Sequence, residues 1–217
     1  MNRTDLDRIF EAIRDKMAQE CGYLVELDAR NGDGDLGLTM RDCWSAVSDA
    51  VHTAQTGDLG MVLMQCAKEA NRAAPSTLGT IISFGLMGAA RALRGREEVS
   101  VEVFADSLSA GIENICAKAG SKAGEKTVLD ALIPAVDALK AHAGEGAAAA
   151  ARAAAEAARA GAEGTRDMKS KHGRAACYGE KSLGIVDGGA IAAAMMFEAA
   201  SACCCPPPPA HAAEAQR

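Results

Sequence analysis

The residues best equipped for chemistry are three aspartates, Asp28, Asp33 and Asp35, set among Gly32, Gly34 and Gly37 in the stretch LDARNGDGDLGLTM, residues 27–40. Carboxylates gathered in one turn repel each other unless a cation sits between them. With no His or Cys beside them, an oxygen-only set favours a hard ion such as Mg²⁺ or Ca²⁺ over zinc. An EF-hand reading places Asn31, Asp33, Asp35 and Asp42 at ligand positions, but Leu36 stands where that loop needs glycine and a bidentate Glu is missing. A turn without metal is the other reading, since Asp-Gly pairs are common turn formers.

The elements that must position this loop are helices. Aromatic residues are 3% of the 217 and apolar residues 49%, a balance that favours helix over sheet and is ample for a core. Thr4 with Asp7 three residues on reads as the cap of a first helix, with Leu6, Ile9, Phe10, Ile13 and Met17 as its apolar stripe and its end near residues 21–23. A second helix is predicted over 38–52 and a third over 59–72. TLGTIISFGLMGAARAL, SVEVFADSLSAGIENICAKA and TVLDALIPAVDALKAH supply the next three, the last kinked by Pro134. The alanine tract GAAAAARAAAEAARA reads as a seventh helix rather than a linker, and GAIAAAMMFEAASA as the eighth. The predicted fold is all-α, an eight-helix up-and-down antiparallel barrel-like bundle over residues 1–203. Residues 204–217, with four prolines, read as an extended, disordered tail.

A net charge of −6 with scattered lysines and arginines argues against nucleic acid as a partner. No apolar run approaches the roughly 20 residues of a membrane span, and the charged, amphipathic MNRTDLDRIF does not read as a signal peptide, so a soluble cytoplasmic protein is expected. The eight cysteines show neither Cys-x-x-Cys nor zinc spacing and read mostly as buried, reduced packing residues. His52, His142 and His211 read as surface residues.

In an up-and-down bundle of eight helices, connections one, three, five and seven emerge at the same end. These are the aspartate loop, RAAPST, GSKAGEKT and the long polar segment from Gly161 to Asp187. They hold nearly all the combinations of Gly, Ser/Thr and carboxylate suited to chemistry, whereas TAQTGD, RGREEV and AGEG look like plain turns. Ser76, Thr127 and Asp187 stand near helix starts, where unpaired backbone N–H groups and partial positive charge favour phosphate. Each alone is more often a simple cap. Carboxylates beside anion-binding amides suggest a metal-nucleotide or metal-phosphate ligand.

Three segments, ELDARNGDGDLGLTM, GEKTVLDALIPAVDAL and GRAACYGEKSLGIVDGGA, resemble in order and spacing the signature segments of the DhaL subunit of dihydroxyacetone kinase, the DAK2-domain family. The resemblance covers residues 5 to about 202 and implies the eight-helix barrel. It implies Asp28, Asp33 and Asp35 as ligands of two Mg²⁺ ions that bridge ADP or ATP phosphates. It also implies nucleotide contacts at Leu36, Gly37, Leu38 and Thr39, mainly through backbone N–H groups, then at Ser76 and Thr77. Ala119 or Gly120, Thr127 and Val128 would line the adenine and ribose side, with Arg174, Asp187, Gly188 and Gly189 completing the set. Leu36 stands where the family often has histidine, and Gly188 where it usually has proline. The implied function is a kinase subunit acting on dihydroxyacetone or a related small ketose held by a separate DhaK-like chain. The donor is ATP, or bound ADP recharged by a DhaM-like phosphotransferase protein, and a homodimer is compatible. The alternative is a non-catalytic nucleotide-binding or regulatory module without a kinase partner.

Overall fold

The apolar stripes fold into helices throughout the computed structural model, which describes residues 1–204. The order is α1 Arg3–Gln19, α2 Cys21–Asp28, α3 Leu36–His52, α4 Leu59–Ala73, α5 Thr77–Ala92, α6 Val101–Ala119, α7 Leu129–Ala141, α8 Ala147–Gly164 and α9 Gly188–Cys204. Among the described residues there is no strand, only an isolated bridge between Asn2 and Glu98. The predicted tail lies, apart from Cys204, outside the described residues.

Eight of these helices are long, and each packs against its neighbour in the chain, with α9 closing on α1 to complete a ring. The faces turned inward are aliphatic: Leu6, Met17, Met40, Val47, Leu59 and Ile191 are all but inaccessible to water, each such side chain contributing about 1.5–3 kcal/mol. An almost wholly apolar cavity of about 200 Å³ remains in the barrel, bounded by Phe10, Trp44, Leu108, Ile112 and Phe197 among others.

Three boundaries differ from expectation. The first helix is capped by Asn2, not Thr4, in a reciprocal capping box with Asp5. Both residue pairs have the right spacing, and the earlier one lets Met1 and Asn2 dock on Glu98 and Val99. Glu20 breaks the helix, yet the chain turns helical again as α2, whose buried Leu24 and Leu27 carry it down to Asp28. Residues 21–23, the expected end of the first helix, are helical. The second predicted helix begins at Leu36 because Asp35 O accepts the first helical bond, from Thr39 N.

The alanine tract is a core helix. Ala150, Ala151, Ala154, Ala155, Ala158 and Ala162 form one buried stripe, and Arg159 pairs with Glu198 on α9. Pro134 lies inside a continuous α7. It cannot donate to Asp130 O, and the missing Cβ of Gly161 lets α8 pack against that carbonyl, which a Cβ would approach to 2.2 Å. The cysteines are less buried than expected: Cys43 and Cys66 are buried, Cys177 is exposed, and Cys21, Cys116, Cys203 and Cys204 lie between. Burial pushes the Cys43 and Cys66 thiols up to about 12.

Candidate functional site

The aspartate loop is shaped by its glycines. Gly34, with φ of 75°, turns its N–H onto Asp28 Oδ2 at 2.8 Å. Gly32 must lack a side chain, because a Cβ there would lie 2.2 Å from Asp28 Oδ1. Asp28 at the end of α2 is thereby folded back onto Asp33 and Asp35, and the three present carboxylate oxygens within 4.8 Å of one another. That compares with about 4.2 Å between opposite oxygens of an octahedral Mg²⁺ shell, so a hard cation fits this donor set. Burial, then the charges of Asp33 and Asp28, push the Asp35 carboxyl above its usual range. Asp35 occupies the cap position of α3 without capping it, which leaves its carboxylate available.

Directly after the carboxylates come the first amides of α3. Leu36, Gly37 and Leu38 offer N–H groups that no carbonyl or side chain among the described residues accepts, whereas the Thr39 N–H is held by Asp35 O at 2.9 Å. Thr39 therefore retains only its hydroxyl for a ligand. Ser76 is the cap of α5, its Oγ accepting from Gly79 N at 3.1 Å, and the exposed Thr77 opens the helix. Asp187 caps α9 by accepting from Ala190 N at 2.8 Å. Burial pushes the Asp187 carboxyl up to about 6 against the pull of that amide, and Asp130 and Asp28 add to the rise.

Loop parity holds in three dimensions. Arg174 Nη2 meets Asp33 Oδ2 at 2.9 Å, joining the long segment to the aspartate loop. A Cβ on Gly189 would stand 3.5 Å from Val128 and 3.7 Å from Leu78, so the starts of α9, α7 and α5 converge. The opposite end is tied separately, by Leu59 N to Arg96 O and Gly95 N to Asp58 Oδ2. Gly120 sits further out, an exposed left-handed cap of α6 with φ of 64°.

Several residues that shape the site were not singled out. Asp130 takes Gly124 N at 2.5 Å and Thr127 N at 2.7 Å, so the Thr127 amide is already engaged. The Thr-Val-Leu-Asp spacing of a capping box was the available signal. Thr165, fully buried, holds Asp187 N through Oγ1 at 2.8 Å. Glu125 and Lys126, in the loop before α7, are buried. His172 Nε2 lies 2.6 Å from Glu125 Oε2, and this pairing, followed by the Lys122 amide, holds the Glu125 carboxyl down at about 2.

A protein-family model described as the DAK2 domain matches residues 30–202. The chain belongs to the DAK2 family. This DAK2 chain is 26% identical over 192 residues to the PEP-dependent dihydroxyacetone kinase, ADP-binding subunit DhaL, of Escherichia coli, covering 88% of this chain and 91% of that one. It is 32% identical over 188 residues to the L-erythrulose 1-kinase of Mycolicibacterium smegmatis, covering 85% of this chain and 33% of that one. The crystal structure of the dihydroxyacetone kinase from C. freundii in complex with AMP-PNP and Mg²⁺ resembles it with a TM-score of 0.72 at 26% identity, over 90% of this chain and 33% of that chain. The DAK2 chain thus has the span of a separate DhaL subunit and about one third that of the longer kinases. Among its described residues no helix is long and apolar enough to cross a membrane.

Proposed function

We propose that this chain is the Mg-nucleotide-binding subunit of a dihydroxyacetone-type kinase. It would supply the phosphoryl group for dihydroxyacetone or a related small ketose, such as erythrulose, held by a separate DhaK-like chain. The observation that carries the reading is the run from Asp28 to Leu38, in which three clustered carboxylates lead directly into three unpaired helix amides. Cation ligands and phosphate ligands thereby share one turn of backbone.

Asp28, Asp33 and Asp35 would hold two Mg²⁺ ions, which supply neutralisation of charge on the transferring phosphoryl oxygens. The amides of Leu36, Gly37 and Leu38 would orient the phosphates, and Arg174, paired with Asp33, would add a positive group from the long segment. Ser76, Thr77, Gly120, Thr127, Val128, Asp187, Gly188 and Gly189 would form the walls around the rest of the nucleotide. No residue need act as a nucleophile, because the acceptor hydroxyl belongs to the ketose on the partner chain. A soluble, cytoplasmic protein suits this role.

The test is mass spectrometry of small molecules carried by the purified chain, followed by exchange against labelled ATP. Bound ADP that resists exchange supports a phosphotransferase-type donor such as a DhaM-like protein. Rapid exchange supports ATP as donor. Absence of any Mg²⁺-dependent ADP or ATP binding would overturn the reading, and binding without transfer in the presence of a DhaK-like chain would favour the regulatory alternative.

A further inference from the structure

Lys126 is 2% exposed, and its backbone has φ of 60° in the left-handed region that non-glycine residues avoid. Burial pushes its amine down from the usual lysine range. Its Nζ donates to three backbone carbonyls: Met168 O at 3.0 Å, Ile185 O at 2.6 Å and Ser182 O. An ammonium has three protons, so all are engaged within the protein and none is left for a ligand.

The positions of the acceptors give this hub its meaning. Met168 is on the outgoing leg of the long segment, and Ser182 and Ile185 are on its return. One buried cation therefore pins both legs. Ser170 N to Ser182 Oγ at 3.1 Å, Lys171 N to Glu125 O at 3.3 Å and the Glu125 to His172 pair extend the clasp around this hub, while Gly184 N to Arg166 O and Arg166 Nη1 to Gly184 O, each at 2.9 Å, and the Lys169 to Glu180 pair tie the two legs to each other without Lys126. Between the pinned legs stands Arg174, whose side chain is 71% exposed and whose one ion pair among the described residues is with Asp33. Little besides the path of the backbone places Arg174 at the carboxylates.

We infer that Lys126 is a positioning residue. It clasps residues 168–185 onto the loop before α7 so that Arg174 faces the aspartate cluster, and it governs nucleotide affinity through Arg174 without touching the nucleotide. The affinity part rests on the proposed nucleotide site; the clasp itself does not.

The experiment compares wild type, Lys126→Met, Arg174→Ala and the double variant, with two readouts. Trypsin cleavage at Lys169, Lys171, Arg174 and Lys181 reports the clasp in the absence of nucleotide. Lys126→Met is expected to be cut there about tenfold faster or more, as loss of hydrogen bonds to a charged group implies, with the thermal midpoint of the remaining fold retained. Calorimetry with Mg²⁺ and ADP reports the function. Lys126→Met is expected to weaken binding roughly tenfold, the scale of a lost supporting contact, and to add nothing in the Arg174→Ala background. Wild-type cleavage rates, or an equal further loss in that background, would overturn the inference. If the wild type binds no nucleotide, the proposed function fails while trypsin still judges the clasp. Should Lys126→Met not fold, hydrogen exchange on the wild type decides. The amides of Ser170, Leu183 and Gly184 should open together with that of Thr127, and earlier opening of the first three would overturn the clasp.

Discussion

Leu36 fills the space that a side chain at residue 188 would require: a Cβ on Gly188 would stand 2.6 Å from Leu36 Cδ2. These are the first residues of α3 and α9, so the contact sets how closely two helix N-termini approach at the carboxylate end. They are also two of the positions at which the sequence resemblance marks a departure from the DhaL pattern. The departures are thus linked: an aliphatic Leu36 needs a residue without a Cβ opposite it.

Gly188→Ala should therefore destabilise the chain by about 1 kcal/mol, near the low end for overpacking because the clash is with the tip of a movable side chain. Leu36→Ala alone opens a small cavity, but Leu36→Ala with Gly188→Ala relieves both errors. Urea denaturation of the four proteins should give a favourable coupling of at least about 0.5 kcal/mol. Strict additivity would show that the two positions are independent.

Asp33→Ala and Asp35→Ala should abolish Mg²⁺-dependent ADP binding and leave the helical content intact, because the loop lies outside the apolar interior. The metal-free proteins should also be no less stable than wild type at neutral pH for Asp35→Ala. Burial and two neighbouring carboxylates already disfavour the charged form of Asp35. Circular dichroism with calorimetry checks both halves, and wild-type affinity in the two variants would remove the aspartates from the site.

Gly32→Ala tests the loop without touching a carboxylate. Its Cβ would lie 2.2 Å from Asp28 Oδ1 and 2.9 Å from Asp28 O, a collision with backbone that only movement of the loop relieves. Mg²⁺-dependent nucleotide affinity should fall roughly 10- to 100-fold, the scale seen when the support of a metal ligand is lost, with an unchanged melting temperature. A titration showing full affinity would mean that the geometry at Asp28 is not needed.

The parts of this molecule legible from residues alone were those with a period or a parity. Leu6, Ile9, Phe10, Ile13 and Met17 announce a helix by spacing, and counting helices assigns each loop an end. Where two patterns of equal merit overlapped, as with Asn2 to Asp5 and Thr4 to Asp7, only the docking of the N-terminus on Val99 decides. Lys126 and Glu125 were opaque for a different reason. A buried charge is recognisable only from its partners, and those lie 42 to 59 residues away for Lys126 and 47 away for the His172 pair of Glu125. A still longer separation in sequence hides the fit of Leu36 to Gly188, since each residue by itself says nothing of the other.

Asp187 gives the fold a pH dependence whose sign is fixed by its environment. Its carboxyl rises from 3.8 to about 6, with burial the largest cause. Between these values the folded chain holds a proton that the unfolded chain has released, so the stabilisation is complete below the unfolded value and is lost as pH rises through about 6. Above that, an ionised Asp187 costs the metal-free fold about 2–3 kcal/mol, at about 1.4 kcal/mol per pKa unit. Asn keeps an oxygen for the Ala190 N–H and is itself a good cap. Asp187→Asn should therefore raise metal-free stability by that amount near about pH 8 and change it little near about pH 4. Denaturation curves at the two pH values decide the matter: an equal effect at both would show that the acceptor at Ala190 matters and the charge does not.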